Sequence, residues 1–380
     1  MITINERKRS SPGKTASVDT RLAAHEQTLG MWPYFAEDEI EAARRVLVSG
    51  KVNYWMGEEG RLFEREFAAF AGCKYAIVLA NGSVALECAL KALGVGPGDE
   101  VVVPSFTFYA TAEAIPHTGA APVFCDIDPE TFCVTAETVR AALTPRTKAV
   151  IAVHLFGNVA PVREIEALGV PVLEDAAQAA GSIGPDGAPG SLATAATFSF
   201  YPSKNLGAFG DGGAITTNDA ALAERVRSLH FHGSRDKRHF EMVGYNSRLD
   251  ALQAAVLRVQ LPHLGRWAQA RHAAGERYAQ SGLGELVALP RASAGSTPAW
   301  HLFVVRSPHA DALALALHEQ GIEARAYYRV PIHRQPALAA KVELPATDEA
   351  ARTNLAIPVG PSLTGEQTDE VVAAIRAALA

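Results

Sequence analysis

Lys204 is the residue of this chain best placed for covalent chemistry. It lies in Phe198-Ser199-Phe200-Tyr201-Pro202-Ser203-Lys204-Asn205-Leu206-Gly207, with Gly210, Gly212 and Gly213 close behind. Pro202 biases Tyr201 away from helix, so a β-like run ends in a tight, glycine-rich loop that presents an amine. An amine held in this way forms an imine with a carbonyl compound, and a Schiff-base lysine is a covalent catalyst. The competing reading is a surface lysine on a loop, the commonest fate of a lysine.

Other segments supply groups that fit the same chemistry. Val172-Leu173-Glu174-Asp175-Ala176-Ala177-Gln178 puts Asp175 at the carboxyl end of an apolar strand. Ligands of open α/β sheets bind just outside such ends. A carboxylate buried there needs a cationic partner. A protonated pyridine nitrogen would serve, and the pair would keep the ring an electron sink; the alternative is an Asp that caps a helix. Asn81-Gly82-Ser83-Val84-Ala85-Leu86 follows a strand and opens a helix. Helix starts favour phosphates, and Gly82 permits close approach; the plain alternative is a strand–turn–helix junction with Ser83 as N-cap. Ser105-Phe106-Thr107-Phe108-Tyr109-Ala110-Thr111 also follows a strand end. An aromatic there stacks on a flat ring or packs into the core. Ser199 can give a hydroxyl to a phosphate, and Gly244-Tyr245-Asn246-Ser247-Arg248 can complete an anion site or cap the helix that follows. Together these pieces request a phosphate, a flat ring with a basic nitrogen and an aldehyde, which pyridoxal 5'-phosphate (PLP) combines. No G-x-x-x-x-G-K-[ST] is present, and the glycines after Lys204 open no clear helix, so P-loop and Rossmann readings fail.

Elements that would position these residues alternate from residue 75 to 218. Strands are predicted at Tyr75–Leu79, Glu100–Pro104, Pro122–Ile127, Ala149–His154, Val170–Glu174, Ala195–Phe200 and Ala214–Thr217. Continuous apolar runs such as Val101-Val102-Val103 suit a parallel sheet buried on both faces. Helices are predicted at Ser83–Leu93, about 110–117, Ala136–Leu143 and about 162–168, an α/β layering. Between the last two strands there is only the loop that carries Lys204. Leu249, Leu252, Val256 and Val259 mark a further helix that Pro262 ends. The remainder reads as a smaller α+β unit, with a strand at His301–Val305, a helix over 310–320 and a last helix capped by Thr364 with Gln367 three residues on.

The chain has 380 residues, 48% hydrophobic and 20% charged, with net charge −6, enough to bury a large core. Scattered basic residues argue against a nucleic-acid surface, and no apolar run approaches a membrane span. Residues 1–30 read as a polar arm without a signal peptide's apolar core. Cys73, Cys88, Cys125 and Cys133 form no C-x-x-C and suit free thiols in a reducing compartment, so cytoplasm is expected. No H-E-x-x-H is present, and no metal is expected.

The segments Asn81–Leu86, Ser105–Thr111, Glu174–Gly181, Phe198–Gly213 and Gly244–Gln260 resemble the signature stretches of the DegT/DnrJ/EryC1/StrS aminotransferases. Val153-His154-Leu155-Phe156-Gly157 and Pro331-Ile332-His333 fit the same pattern, and the similarity runs from about Tyr34 onward. The resemblance implies the PLP-dependent transferase fold type I. A large, mainly parallel α/β domain over 31–262 would be followed by a small C-terminal α+β domain over 263–380. It implies that Lys204 holds PLP as a Schiff base, Asp175 pairs with the pyridine nitrogen and Gln178 bonds the ring oxygen. Phe108 would stack on the ring, and Gly82, Ser83, Val84 and Ser199 would bind the phosphate. Asn246 would reach the phosphate of a neighbouring subunit, so a homodimer is expected. Some relatives carry histidine at the lysine position and act as dehydratases, so Lys204 argues for amino transfer. The expected reaction moves nitrogen from an amino acid, L-glutamate first, to a nucleotide-linked 3-keto or 4-keto hexose. A keto-cyclitol acceptor, a PLP-binding regulator and a non-transaminating PLP enzyme are the alternatives. Arg235, Arg238, Tyr327, Tyr328 and His333 are candidate substrate contacts or structural residues.

Overall fold

The structure, a computed structural model, describes residues 33–380, and the arm expected over residues 1–30 lies outside them. The apolar runs form seven strands: β1 (Tyr75–Leu79), β2 (Glu100–Pro104), β3 (Ala121–Cys125), β4 (Thr147–Val153), β5 (Val172–Asp175), β6 (Ala195–Ser199) and β7 (Gly213–Thr217). They make one sheet in the order β1-β7-β6-β5-β4-β2-β3. From β6 to β3 every pairing is parallel. Only β7 runs antiparallel, to β6 and to β1. A parallel return needs a crossover helix. None separates β6 from β7, so the chain turns straight back through the Lys204 loop.

Both faces of the sheet are covered, as the uninterrupted apolar strands require. Side chains alternate across the pleat, so Ile77 and Leu79 of β1 enter one core while Ala76 and Val78 enter the other. The first core takes Leu86, Ala89 and Leu90 from helix Gly82–Ala92. The second takes Phe63 and Phe67 from helix Glu59–Ala71, where Phe67 meets Phe198 and Phe200 edge-on at 4.9 and 5.2 Å. Burying each such ring contributes about 1.5–3 kcal/mol.

The same alternation separates neighbouring acids at the end of β5. Glu174 is fully buried and accepts the backbone N–H groups of Gly190, Leu192 and Ala193, each at 2.9 Å. His154 Nε2 stands 2.8 Å from the same carboxylate, while His154 Nδ1 accepts Ala160 N–H at 3.0 Å. An acceptor at Nδ1 places the ring proton on Nε2, directed at Glu174. Glu174 is therefore the anchor of the 190–193 loop, and Asp175 is left to face the strand ends.

A second sheet pairs β8 (Phe303–Arg306) antiparallel to β9 (Asn354–Ile357). Helices Ala310–Glu319 and Gly365–Leu379 share a core with it through Leu313, Leu317, Val371 and Ile375. The expected capping box is present: Thr364 Oγ1 accepts Gln367 N–H at 3.2 Å and Gln367 Oε1 accepts Thr364 N–H at 3.0 Å.

Some expected boundaries move. The helix expected over about 110–117 ends at Glu113, and Pro116 opens a 3-10 turn instead. The helix read from Leu249 begins at Ala251. Pro262 does not stop the helical course, because a 3-10 turn, Leu261–His263, leads straight into Leu264–Gln280. The strand expected at His301 starts at Phe303, since Trp300 and His301 pack against Gly157 and Leu302 N–H bonds to Phe156 O. No helix among the described residues is long and apolar enough to cross a membrane.

Removing the Glu174 carboxylate strands three backbone donors and an imidazole in the interior. Glu174→Ala is expected to cost about 3–5 kcal/mol in denaturant unfolding; a loss of under about 1 kcal/mol, the range of an exposed ion pair, would contradict the anchoring role.

Candidate active site

Asp175 closes β5 and is almost fully buried. Its Oδ2 accepts Thr111 Oγ1–H at 2.8 Å, and its Oδ1 accepts Ala177 N–H at 3.2 Å. Burial pushes the carboxyl upward, and those two bonds and the charge on Lys204 pull it back. Lys204 stands on the loop leaving β6, with its N–H bonded to Tyr201 O at 2.8 Å. Burial pushes its amine down to about 8, opposed by Asp175. A substantial neutral fraction at moderate pH is what a nucleophilic amine requires.

Close packing brings the turn before helix Gly82–Ala92 onto the ends of β6 and β7. A Cβ on Gly82 would stand 2.8 Å from Ser199 Cβ, and one on Gly213 would stand 2.5 Å from Asn81 C and O. Ser199 pairs with Gly213 across the ladder. Asn81, rather than the expected Ser83, is the N-cap: its backbone is extended and its side chain accepts Val84 N–H at 2.9 Å. Ser83 is exposed in the first turn. With Val84 N–H taken by the cap, the Gly82 and Ser83 amides are the first-turn donors left for an anion.

Phe108 precedes helix Tyr109–Glu113 and is 59% exposed, a flat face offered outward one turn before Thr111. Gln178 is buried; its Oε1 accepts Phe156 N–H at 2.8 Å and its Nε2 donates to Tyr328 OH at 3.0 Å. Phe156 and Tyr328 stack at 6.0 Å and 4°, both with left-handed backbones, φ 58° and 54°. Strained non-glycine backbone of this kind collects at functional sites.

The remaining candidates divide. Tyr328 joins the Gln178 group, and Tyr327 packs edge-on against Phe156. His333 is structural: its Nδ1 lies 2.7 Å from Ser105 Oγ, docking segment 331–333 on the loop after β2. Arg235 pairs with Glu224 at 3.3 Å, and Arg238 is exposed nearby. Asn246 is exposed on a separate loop, bridged through its backbone to Phe231. Beside it lies a cavity of about 870 Å³ bounded by Asn53, Trp55, Phe231, Lys237 and Arg248, and neither Lys204 nor Asp175 lines it. There Lys237 Nζ sits 3.8 Å above the Trp55 ring, and Arg248 lies 5.3 Å over Phe231.

Sequence reasoning gave no role to Thr111, to the Phe156–Tyr328 stack or to His301. Thr111 was within reach, since it closes the Ser105–Thr111 segment that follows β2. The others depend on contacts between distant segments. The four cysteines are free thiols, and three are fully buried.

These residues fit PLP. Asp175 is a buried carboxylate whose two bonded donors are neutral, so a ring N–H⁺ suits it. The glycines let the Asn81–Gly82 turn close onto Ser199 and Gly213, which brings the Gly82 and Ser83 amides beside the Ser199 side chain as a phosphate would need. Gly82→Ala would push this turn off Ser199 and is therefore expected to weaken PLP binding by about tenfold or more in a fluorescence titration; unaltered affinity would contradict the turn's part in the site. Because the neutral amine is the reactive form, the rate of PLP uptake by cofactor-free protein should rise with pH through about 8. A flat profile from pH 6 to 10 would contradict the low-lying amine.

Residues 33–376 match the profile of the DegT/DnrJ/EryC1/StrS aminotransferase family. A "pleiotropic regulatory protein" of Geobacillus stearothermophilus is 45% identical over 83% of this chain and 88% of its own length. The dTDP-3-amino-3,4,6-trideoxy-alpha-D-glucose transaminase of Streptomyces venezuelae is 43% identical over 89% of this chain and 91% of its own. The crystal structure of S. venezuelae DesV in complex with a ketimine intermediate superposes with a TM-score of 0.87 at 40% identity, covering 92% of this chain and 98% of that one. The chain belongs to the DegT/DnrJ/EryC1/StrS aminotransferase family and is a PLP-dependent aminotransferase.

Proposed function

We propose that this aminotransferase carries nitrogen from L-glutamate to a nucleotide-linked 3-keto or 4-keto hexose. The observation that carries the reaction type is the pairing of buried Asp175 with the low-lying Lys204 amine at the carboxyl ends of β5 and β6. The acceptor class draws support from the Streptomyces venezuelae relative, whose name is that of a nucleotide-sugar transaminase.

PLP, when bound, supplies an aldehyde for imine exchange and a ring that takes up electrons. The chain supplies the rest. Asp175 holds the ring nitrogen's proton, with Thr111 and Ala177 fixing its carboxylate. The Gly82 and Ser83 amides and Ser199 would seat the phosphate, with Val84 N–H held by the Asn81 cap; Phe108 would cover one ring face, and Gln178 would reach the ring oxygen. Lys204 would hold the cofactor through its amine, and when that amine is free it would move the proton of the donor's Cα, as base and then acid. The same residues act in the reverse order on the keto acceptor.

The active unit in this reading is a homodimer in the cytoplasm, with Asn246 reaching the phosphate of the partner subunit. Trp55, Phe240 and Val243 support it, being 47%, 61% and 93% exposed around the same loop, more apolar surface than a solvated loop needs. The large domain spans 31–262 and the small one 263–380. A regulator on the same fold is the second reading, favoured by the name of the Geobacillus relative. A keto-cyclitol acceptor is the runner-up to the hexose.

Lys204→Ala should lose at least about 10²–10⁴ of the turnover, and borohydride should fix PLP to the wild type but not to the variant. Full turnover by the variant would remove the proposal. In the wild type, ¹⁵N from labelled glutamate should appear in the sugar product. Stoichiometric PLP with no transfer from any donor would favour the regulator.

A further inference from the structure

We infer that Gln260 is a positioning residue for Lys204, its Oε1 holding Gly207 N–H and with it the loop on which the lysine stands. The inference rests on the proposed role of Lys204.

The lysine loop closes on itself. Lys204 N–H bonds to Tyr201 O and Ala208 N–H to Phe200 O, each at 2.8 Å. A Cβ on Gly207 would stand 2.4 Å from Pro202 O and 2.9 Å from Pro202 C, so the two arms of the loop touch at residues 202 and 207, with Lys204 in the span between them. Whatever fixes Gly207 therefore fixes the span that carries the amine. Gly207 is buried, and its N–H goes to a side chain, Gln260 Oε1, at 3.3 Å. A buried amide deprived of its acceptor is costly, so the loop is bound to this partner.

Gln260 is itself held in place. It ends the helix Ala251–Gln260 and is 2% exposed. The same side chain hydrogen-bonds the buried carboxyl of Glu39, whose Oε2 also accepts Ala36 N–H at 3.1 Å. With Oε1 on Gly207, the amide nitrogen is the donor left for Glu39. Glu39 belongs to helix Glu37–Ser49, which packs Ala42 and Val46 against Ala251 and Ala255. Just ahead of that helix, Phe35 meets Phe209 edge-on at 4.4 Å. Two contacts, at Gly207 and at Phe209, thus tie the chain after Lys204 to elements far from it in sequence. The amide bridges a donor and an acceptor while adding no charge to the site.

The test uses the full-length, cofactor-free chain and two mass-spectrometric readings. One is deuterium exchange of the backbone amides over residues 205–209. The other is the pH midpoint of Lys204 acetylation, because only the neutral amine reacts. Q260L removes the acceptor, and Q260N withdraws it by one methylene. Burial is the larger influence on the Lys204 amine and Asp175 the smaller, so a loop released from Gln260 returns the amine to water and toward the ordinary lysine range. Both variants should raise the midpoint by about one pH unit and speed the exchange about tenfold or more. V46A loosens the same two helices at Ala251 and Ala255 and leaves the Gln260 amide in place; it should lower thermal stability and move neither reading. Faster exchange with an unmoved midpoint in Q260L and Q260N overturns the inference, since Gln260 would then hold backbone alone. Unchanged exchange in both, or a midpoint that V46A moves as far, overturns it too. Should Q260L fail to fold, Q260N against V46A decides. Borohydride fixation of PLP at Lys204 in wild type is scored separately, so failure of the lysine's own role is told apart from failure of this one.

Discussion

Asp175 carries a carboxylate into a place from which water is excluded, and the two neutral donors that hold it do not by themselves offset its charge. Lys204 offsets part of it, and in the proposed reading the cofactor's ring N–H⁺ would supply the rest at the end of the strand. The rest of the site follows from that need. Lys204 stands across from the acid and feels it, yet burial keeps the amine from being a permanent counter-ion. Had Lys204 stayed fully charged beside Asp175, the pair would satisfy itself, leaving the ring nitrogen no partner and the aldehyde no nucleophile.

The scaffold is arranged to hold that pair in place. The pleat sends Glu174 inward to anchor the 190–193 loop and leaves Asp175, its neighbour, for the site. Two consecutive acids thus have opposite tasks, set by strand alternation alone. Around them the backbone departs from comfortable geometry at Phe156, Trp300 and Tyr328, and each departure adjoins a segment touching the site. The antiparallel return of β7 serves the same end, because it lets the lysine loop and the Asn81–Gly82 turn meet without a helix between them.

Much of this was legible in the sequence, for an identifiable reason. Strands buried on both faces show as unbroken apolar runs, so the positions of β1 and β2 could be read to the residue. The acid and the lysine were legible because each lies next to such a run. Where two local signals competed, the sequence was less clear. Asn81 and Ser83 are both good caps, and only the extended backbone at Asn81 decides between them. Pro262 looked like a full stop and is instead the second residue of a 3-10 turn that joins two helices. What was illegible is tertiary: the Gln178–Phe156–Tyr328 cluster and the approach of His301 join segments far apart in the chain, and no periodicity encodes them.

The charge state of the ring nitrogen is the quantity on which this account turns. Holoenzyme reconstituted with PLP carrying ¹⁵N in the ring can be examined by solid-state or low-temperature solution NMR. The account predicts a protonated pyridine nitrogen between pH 6 and 9, lost when Asp175 is replaced by Asn. A nitrogen that is unprotonated in the wild type, or one whose shift ignores the D175N substitution, would contradict it.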